Sequence, residues 1–157
     1  MEESENPSTS TLPQGSPVKQ FSVMLQNRAG ALSSLVRLLE SHKILLLGFS
    51  IRDSNDATIV RLVVSDPETT EQIFMERGIP HTTTNMAVLE LSEGCLHLSK
   101  ALDTLFKAET NIHFAYSLVP CPAGKTMLAM CLEDHHFGVS VLRNSGFKVL
   151  FQEDLSR

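Results

Sequence analysis

The spacing of apolar and polar residues predicts a strand and then a helix near the start of the chain. Every second residue from Phe21 to Leu25 is apolar, which is typical of a strand with one buried face. Residues 27–30 interrupt this pattern. From Ala31 the apolar residues recur at helical spacing and form one stripe. We therefore expect a helix from Ala31 to about His42-Lys43, where basic groups suit the negative end of a helix.

The following segment continues with two strands, a helix and a strand. Apolar and β-branched runs predict strands at 44–52 and 58–65, joined by a turn of Asp, Ser and Asn residues at 53–56. Asp66-Pro67 is a typical helix start, with Asp as the cap and Pro at the first position. Ile73, Phe74 and Met75 are expected to face inward, and Gly78 ends this helix. Residues 79–84 form a short fourth strand. This order of elements is that of the split βαβ, ferredoxin-like fold.

A shift of 68 residues aligns the chain with itself. It places Asp66 on Asp134 and Gly78 on Gly146, since 134−66 and 146−78 are both 68. The same shift relates two further identical pairs, which are Ile44 with Ile112 and Thr58 with Thr126. A shared period of this length indicates one folding unit made twice.

The second copy repeats the predicted order of elements. Its strands are expected at 86–91, 112–119, 126–132 and 147–151, with a turn at 120–125. Its first helix carries a predicted buried stripe of Leu98, Leu102, Leu105 and Phe106, and its second helix ends at Gly146. The chain is thus predicted to be an α+β protein of two ferredoxin-like βαββαβ units, at 18–85 and 86–155. A tail at 1–17, rich in Ser, Thr, Pro and Glu, is expected to be disordered.

Composition narrows the classes of function. The 157 residues have a net charge of −5 and their Lys and Arg residues are scattered, which argues against a nucleic-acid partner. No stretch approaches the roughly 20 apolar residues of a membrane span. The three cysteines are an odd number without framework spacing, which suggests reduced thiols in a cytoplasmic protein.

The sequence holds no pattern typical of a catalytic centre, a metal site or a cofactor site. His135 and His136 are adjacent, so on a helix they point apart, and neither Cys-x-x-Cys nor His-Glu-x-x-His occurs. Gly124-Lys125-Thr126 resembles the end of a phosphate loop, but position 119 holds valine where such a loop has glycine. Tyr116 is expected to be a partly buried strand residue with a partner for its hydroxyl. We therefore expect a protein that is not an enzyme and uses no cofactor or metal.

A family resemblance is carried by three features: the segment Phe21-Ser-Val-Met-Leu-Gln-Asn-Arg-Ala-Gly-Ala-Leu, the hairpin after it, and the helix start Val64-Ser65-Asp66-Pro67. They resemble the ACT domain. From about Val18 the chain is similar to the small tandem-ACT, amino-acid-binding proteins of bacteria. It is similar, more distantly, to the regulatory subunit of acetohydroxyacid synthase.

The resemblance implies a regulatory protein that binds a small ligand, usually an amino acid. ACT domains associate side by side, so that antiparallel sheets join with the helices on one face, and the ligand commonly lies between paired domains. A homodimer and a regulated enzyme or other protein partner are also implied. The implied site residues fall in two groups: the strand–helix turn Asn27, Arg28, Ala29 and Gly30, and an opposite wall from Ser50 and Ile51 or from Tyr116, Ser117 and Leu118.

The chemistry of the turn before the first helix fits an amino acid. A helix N-terminus presents unpaired N–H groups and partial positive charge, which suit a carboxylate. Gly30 has no Cβ and allows close approach, and the amide of Asn27 offers both a donor and an acceptor. The backbone N–H groups of Ala31 and Leu32 are the expected carboxylate donors. Arg28 either adds charge or points to solvent.

Two alternatives stay open at this point. Residues 27–30 also make an ordinary turn and cap, in which case the protein is a structural pairing module without a ligand. The second copy reads Leu91-Ser92-Glu93-Gly94 at the corresponding point. Because Glu93 would repel a ligand carboxylate near the helix start, we expect the second turn to be structural.

Overall fold

The computed structural model describes residues 15–26, 29–93, 95–119 and 125–156. Strands β1 to β7 span Val18–Leu25, Leu46–Asp53, Thr58–Val64, His81–Leu91, Ile112–Ser117, Thr126–Leu132 and Val149–Leu150. Helices α1 to α5 span Ala31–Ser41, Pro67–Glu76, Cys95–Lys107, His135–Asn144 and Gln152–Leu155. Within these ranges no helix combines the length and the apolar character that crossing a membrane requires.

The two copies use the same signals to begin and end their second helices. The carboxylate of Asp66 accepts a hydrogen bond from the Thr69 N–H at 3.1 Å, and that of Asp134 accepts one from the Phe137 N–H at 3.1 Å. These bonds satisfy N–H groups that a helix start leaves without partners. Gly78 and Gly146 follow the two helices with φ of +65° and +89°, a conformation that glycine adopts without strain. The predicted cap and stop signals are confirmed.

One long strand, β4, belongs to both units. Its residues from His81 to Met86 pair with β1, and those from Ala87 to Leu91 pair with β6. The two strands predicted at 79–84 and 86–91 are therefore one continuous strand. The sheet order is β2-β3-β1-β4-β6-β5, with β7 also paired to β4. We refer to β1–α1–β2–β3–α2 with the first half of β4 as unit 1, and to the remainder as unit 2.

Helices α1 to α4 all pack on one face of this sheet. In unit 1, Phe21 and Leu62 pack with Leu39 of α1 and Phe74 of α2. The corresponding cluster of unit 2 joins Leu89 and Met130 to Leu105 and Leu142. The predicted α+β class and the two ferredoxin-like units are confirmed.

The sheet curls so that the face without helices encloses a third, central core. Val18 and Val63 of unit 1 pack there with Met127 and Ala129 of unit 2. The two edges of the sheet meet where the Val119 N–H donates to the Leu47 carbonyl at 2.6 Å. This folding over buries apolar surface that two such small units would otherwise expose.

The central core fits large residues of unit 2 against small or polar residues of unit 1. A Cβ placed on Gly48 would collide with the Cδ2 of Leu118. The Tyr116 hydroxyl donates to the Gln20 side-chain carbonyl at 2.6 Å, so the prediction for Tyr116 is confirmed. The Arg61 guanidinium lies 3.8 Å from the centre of the Phe114 ring, a cation–π distance.

The two copies are not aligned by one constant shift. At the ends of α2 and α4 the shift is 68, because the Ile79 N–H donates to Phe74 and the Phe147 N–H donates to Leu142. At the ends of α1 and α3 it is 66, because the equivalent bonds are Ile44 to Leu39 and Thr110 to Leu105. Ile44 therefore corresponds to Thr110, and the predicted pairing of Ile44 with Ile112 is wrong. Ile44 and Ile112 are the same residue type by coincidence and do not occupy equivalent positions in the two units.

The predicted inward faces of two helices need correction. Leu102 and Phe106 were assigned to the buried stripe of α3, but both are exposed, Phe106 by 80%. Ala101 and Leu105 are the buried residues of that helix. Met75, also expected to face inward, is exposed. These differences arise because the whole sheet, and not the helix alone, decides which helix face is covered.

The two ends of the described chain are tied together. Residues 1–14 of the predicted tail lie outside the described residues, but the Ser16 N–H donates to the Glu153 carboxylate at 3.0 Å. The side-chain amide of buried Gln152 donates to the Val64 carbonyl of unit 1 at 3.1 Å. Helix α5, which follows the strand predicted at 147–151, thus fastens the C-terminal segment to unit 1.

Candidate functional site

Among the described residues, no side chain caps the start of α1. Gly30 is its N-cap residue, with φ of +86°. The Ser34 N–H donates to the Gly30 carbonyl at 2.9 Å. The N–H groups of Ala31 and Leu32 precede this first helical bond and are the donors that a helix start leaves unsatisfied. Asn27 and Arg28 lie outside the described residues.

A cavity of about 850 Å³ opens beside this turn. Such a volume is within the range of small-molecule sites. It is bordered by the end of β1, by the first turns of α1 and by the connection from α2 to β4. Its lining residues are Met24, Leu25, Gln26, Ala29, Gly30, Ala31, Ser34, Leu35, Leu38, Arg77, Gly78, Ile79 and Pro80.

The lining combines an apolar wall with a few polar groups. Leu35, Leu38 and Ile79 are aliphatic lining residues, and Ser34 and Arg77 are polar ones. Arg77 is exposed, and its guanidinium forms no salt bridge with any described residue. Positive charge in the lining and at the helix start, next to aliphatic residues, suits a small anion that carries an apolar group.

The structure brings together part of the predicted site. Ala29, Gly30 and Ala31 line the large cavity. A second cavity of about 80 Å³ on the other side of α1 is lined in part by Ala31, Leu32 and Ile51. Ile51 of β2 therefore lies near the turn of its own unit. Ser50 pairs with Arg61 and so has its side chain on the opposite face of the sheet.

The other predicted wall lies elsewhere in the chain. Tyr116 and Leu118 belong to the central core, and Ser117 is exposed on β5. None of these three residues lines either cavity at Gly30. Burial raises the pKa of the Tyr116 hydroxyl, which therefore remains protonated and acts as a donor to Gln20.

The sequence missed Arg77, Ile79 and Pro80 as residues of the cavity. They follow the second helix and are far from the turn along the chain, so no local pattern connected the two segments. Gly78 was a usable signal. A glycine that ends a helix turns the chain back toward the sheet, and the strand that follows lies beside β1.

In unit 2, side chains fill the space that corresponds to the cavity beside Gly30 of unit 1. Helix α3 begins at Cys95, which corresponds to residue 29 by the shift of 66, whereas α1 begins at Ala31. The residue that corresponds to Gly30 is thus Leu96, and not Gly94 as the sequence suggested. The imidazole of His97 stacks on the Phe147 ring, with centroids 4.8 Å apart and planes 26° apart. The Ser92 N–H donates to Nδ1 of His97 at 3.2 Å.

The remaining titratable residues that the structure describes are the candidates for a possible metal site. Among the described residues no group of His, Cys, Asp and Glu has the geometry of a metal site. His135 and His136 lie at the start of α4 with their rings 5.5 Å apart. Burial and the neighbouring His136 lower the pKa of His135. Cys131 is buried, and burial raises its pKa, while Cys121 lies outside the described residues.

Solved structures with the same fold come from several organisms. A protein from Bacteroides thetaiotaomicron is 22% identical, with 91% of this chain and 98% of that chain covered and a TM-score of 0.82. The ligand-free regulatory subunit of aspartate kinase from Thermus thermophilus is 8% identical, with 84% and 94% covered and a TM-score of 0.55. A structure of aspartokinase alpha and beta subunits is 14% identical, with 81% and 90% covered and a TM-score of 0.51. At these identities the likeness shows the fold alone.

Sequence comparison gives the family. No curated protein matches the chain. The family described as an ACT domain pair matches residues 16–156, which is nearly the whole chain and includes both units and the C-terminal helix. The curled sheet with its two βαββαβ units is thus the fold of that family, and the chain belongs to the ACT domain pair family.

Proposed function

We propose that this protein is a non-catalytic regulatory protein that binds an amino acid in the cavity beside Gly30. The observation that carries the proposal is the open cavity at the start of α1, whose lining includes Arg77 and several aliphatic residues and where no described side chain caps the helix. The N–H groups of Ala31 and Leu32 are suited to a carboxylate. The spacing of the cysteines supports a cytoplasmic location.

In a homodimer, the ligand would regulate the protein by changing how the two chains pair. Within the described chain β2 is an end strand of the sheet order. Its start is bonded to Val119 at Leu47, whereas Phe49 and Ile51 farther along it are exposed by 47% and 49%. An apolar end strand favours pairing with another strand. Ile51 also borders the smaller cavity at Ala31. A ligand that prefers one arrangement of the paired chains would shift their equilibrium, and a partner enzyme or other protein would respond.

The same end strand supports the second candidate function. A structural pairing module needs the exposed β2 edge and no ligand. Under that alternative the cavity at Gly30 has no occupant, and dimerisation is independent of every amino acid. The two candidates therefore differ in ligand binding and not in assembly.

Calorimetry and thermal shift with the twenty amino acids separate these candidates. Saturable binding by the wild type supports sensing, and no response to any amino acid contradicts it. Gly30→Val should abolish binding, because a side chain at the helix start narrows the approach to the N–H groups. Asn27→Ala tests the predicted role of that residue in the same assay.

Gly146→Val is the matched control for Gly30→Val. Gly30 and Gly146 have φ of +86° and +89°, and a Cβ at either would meet no atom within 4 Å. The backbone strain of the two variants should therefore be similar, at roughly 1–2 kcal/mol. Only Gly30→Val alters the cavity. Equal loss of binding in both variants would indicate a general effect of strain and would contradict the proposed site.

A further inference from the structure

The internal repeat identifies the residues of unit 2 that correspond to the cavity of unit 1. The shift of 66 that relates α1 to α3 places Ala31 on His97, since 97−31 is 66. The shift of 68 after the second helices places Ile79 on Phe147, since 147−79 is 68. Ala31 and Ile79 both line the cavity. The stacked pair His97 and Phe147 therefore occupies in unit 2 the place of the open space in unit 1.

The contacts of His97 resemble those expected of a bound ligand. Its ring packs against Phe147, which is 8% exposed. Its Nδ1 accepts a hydrogen bond from the backbone N–H of Ser92 in the turn before the helix. The strand pairings relate β1 to the second half of β4 by a shift of 66. Gln26, the counterpart of Ser92 by this shift, also lines the open cavity. One compact group thus meets both an apolar wall and a donor of the turn.

We infer that the ligand of unit 1 takes the place that the His97 side chain fills in unit 2, and that it is an amino acid with a compact aliphatic side chain. This inference rests on the proposed function and specifies its ligand. The side chain would pack on Ile79, as the imidazole packs on Phe147. The α-carboxylate would accept from the N–H groups of the helix start, with Arg77 of the lining as a second donor.

The chemistry of the wall favours an aliphatic side chain over a charged one. Ile79 stands where unit 2 has the flat Phe147, and Leu35 and Leu38 extend the aliphatic surface. Arg77 is the only charged residue among the described lining residues. If Arg77 binds the carboxylate, no described side chain of the lining offers an opposite charge to a lysine or a further cation to a glutamate.

The test introduces the side chains of His97 and Phe147 at the equivalent positions of unit 1, which are Ala31 and Ile79. Ala31→His/Ile79→Phe should fold like the wild type, judged by circular dichroism and melting temperature, and should bind leucine, isoleucine or valine at least tenfold more weakly in calorimetry. The matched control is His97→Ala/Phe147→Ile, which makes the reverse changes in unit 2 and should keep the affinity of unit 1 within about twofold. Ala31→His alone serves if the double variant does not fold.

The outcomes separate this inference from the proposed function. Wild-type affinity in the folded filled variant overturns the inference and leaves ligand binding intact. Glutamate or lysine binding as tightly as leucine overturns the ligand class. Absence of binding by the wild type overturns both the proposed function and the inference. Preferential binding of the aliphatic amino acids, lost in the filled variant and kept in the control, supports it.

Discussion

Unit 1 and unit 2 are alike at their second helices and different at their first. An aspartate caps each second helix and a positive-φ glycine follows it, at a constant shift of 68. At the first helices, α3 has 13 residues and α1 has 11. In unit 2 the position that unit 1 leaves open is filled by His97 against Phe147. The same scaffold thus keeps a space at this turn in unit 1 and fills it with its own side chains in unit 2.

The central core shows a second inequality between the units. In unit 2, Phe114, Tyr116 and Leu118 project into it. By the shift of 66 the corresponding residues of unit 1 are Gly48, Ser50 and Arg52. Large side chains at all these positions would overfill the space between the two halves of the sheet. Here the difference between the copies is a requirement of packing.

The largest expected effect is at this core. Leu118→Ala removes a buried side chain that lies against Gly48, and we expect a loss of about 3 kcal/mol in the free energy of unfolding, from lost burial and a remaining cavity. Urea denaturation followed by circular dichroism measures it. The control Leu96→Ala changes a leucine that is 69% exposed and should cost less than about 0.5 kcal/mol. Similar losses in both variants would contradict the contribution of Leu118 to the central core.

The caps of the second helices test the likeness of the units. Asp134→Ala should lower the free energy of unfolding by about 1 kcal/mol, because the first turn of α4 loses its cap. Asp66→Ala should cost more, up to about 2 kcal/mol, because the second oxygen of Asp66 also accepts from the Thr69 hydroxyl at 2.6 Å. Chemical denaturation of the two variants gives both values. A larger loss for Asp134→Ala would reverse the comparison.

The smallest expected effect is a difference in pH dependence at the first residue of the second helices. His135 stands where unit 1 has Pro67, since 135−67 is 68. In the folded protein its pKa lies below the ordinary 6.5, mainly because of burial. The unfolded chain therefore takes up the proton first. The contribution of His135 to stability is complete above pH 6.5 and is lost as the pH falls toward its lowered pKa.

His135→Pro should accordingly flatten the decline in stability between about pH 7.5 and pH 5.5, measured by urea denaturation at several pH values. Proline is also favourable at the first position of a helix. His113→Gln changes an exposed histidine and should leave the slope of the wild type unchanged. An unchanged slope in His135→Pro would show that another histidine carries the dependence.

Local patterns were sufficient for most elements and insufficient for the cavity. Strand β6 lies at Thr126–Leu132, as predicted, because period and turn residues act over neighbouring positions. The exposure of Phe106 was not predictable, since the sheet decides which face of α3 is covered. Arg77 and Ile79 were missed because a cavity joins segments that are distant in sequence. The roles of Asn27 and Arg28 stay predictions.

In β4 the boundary between the two sequence copies does not coincide with a break in the strand. The sequence predicts the boundary between its two copies near residue 85, yet the strand pairing continues through that point from β1 to β6. A break there would leave each half with an unpaired, frayed end of the strand that both sheets need. The two duplicated halves therefore depend on the same strand and are not modules that could be exchanged separately. Strand β4 begins directly after Pro80, which lines the cavity, and ends at Leu91, so one strand connects the cavity of unit 1 to the sheet of unit 2.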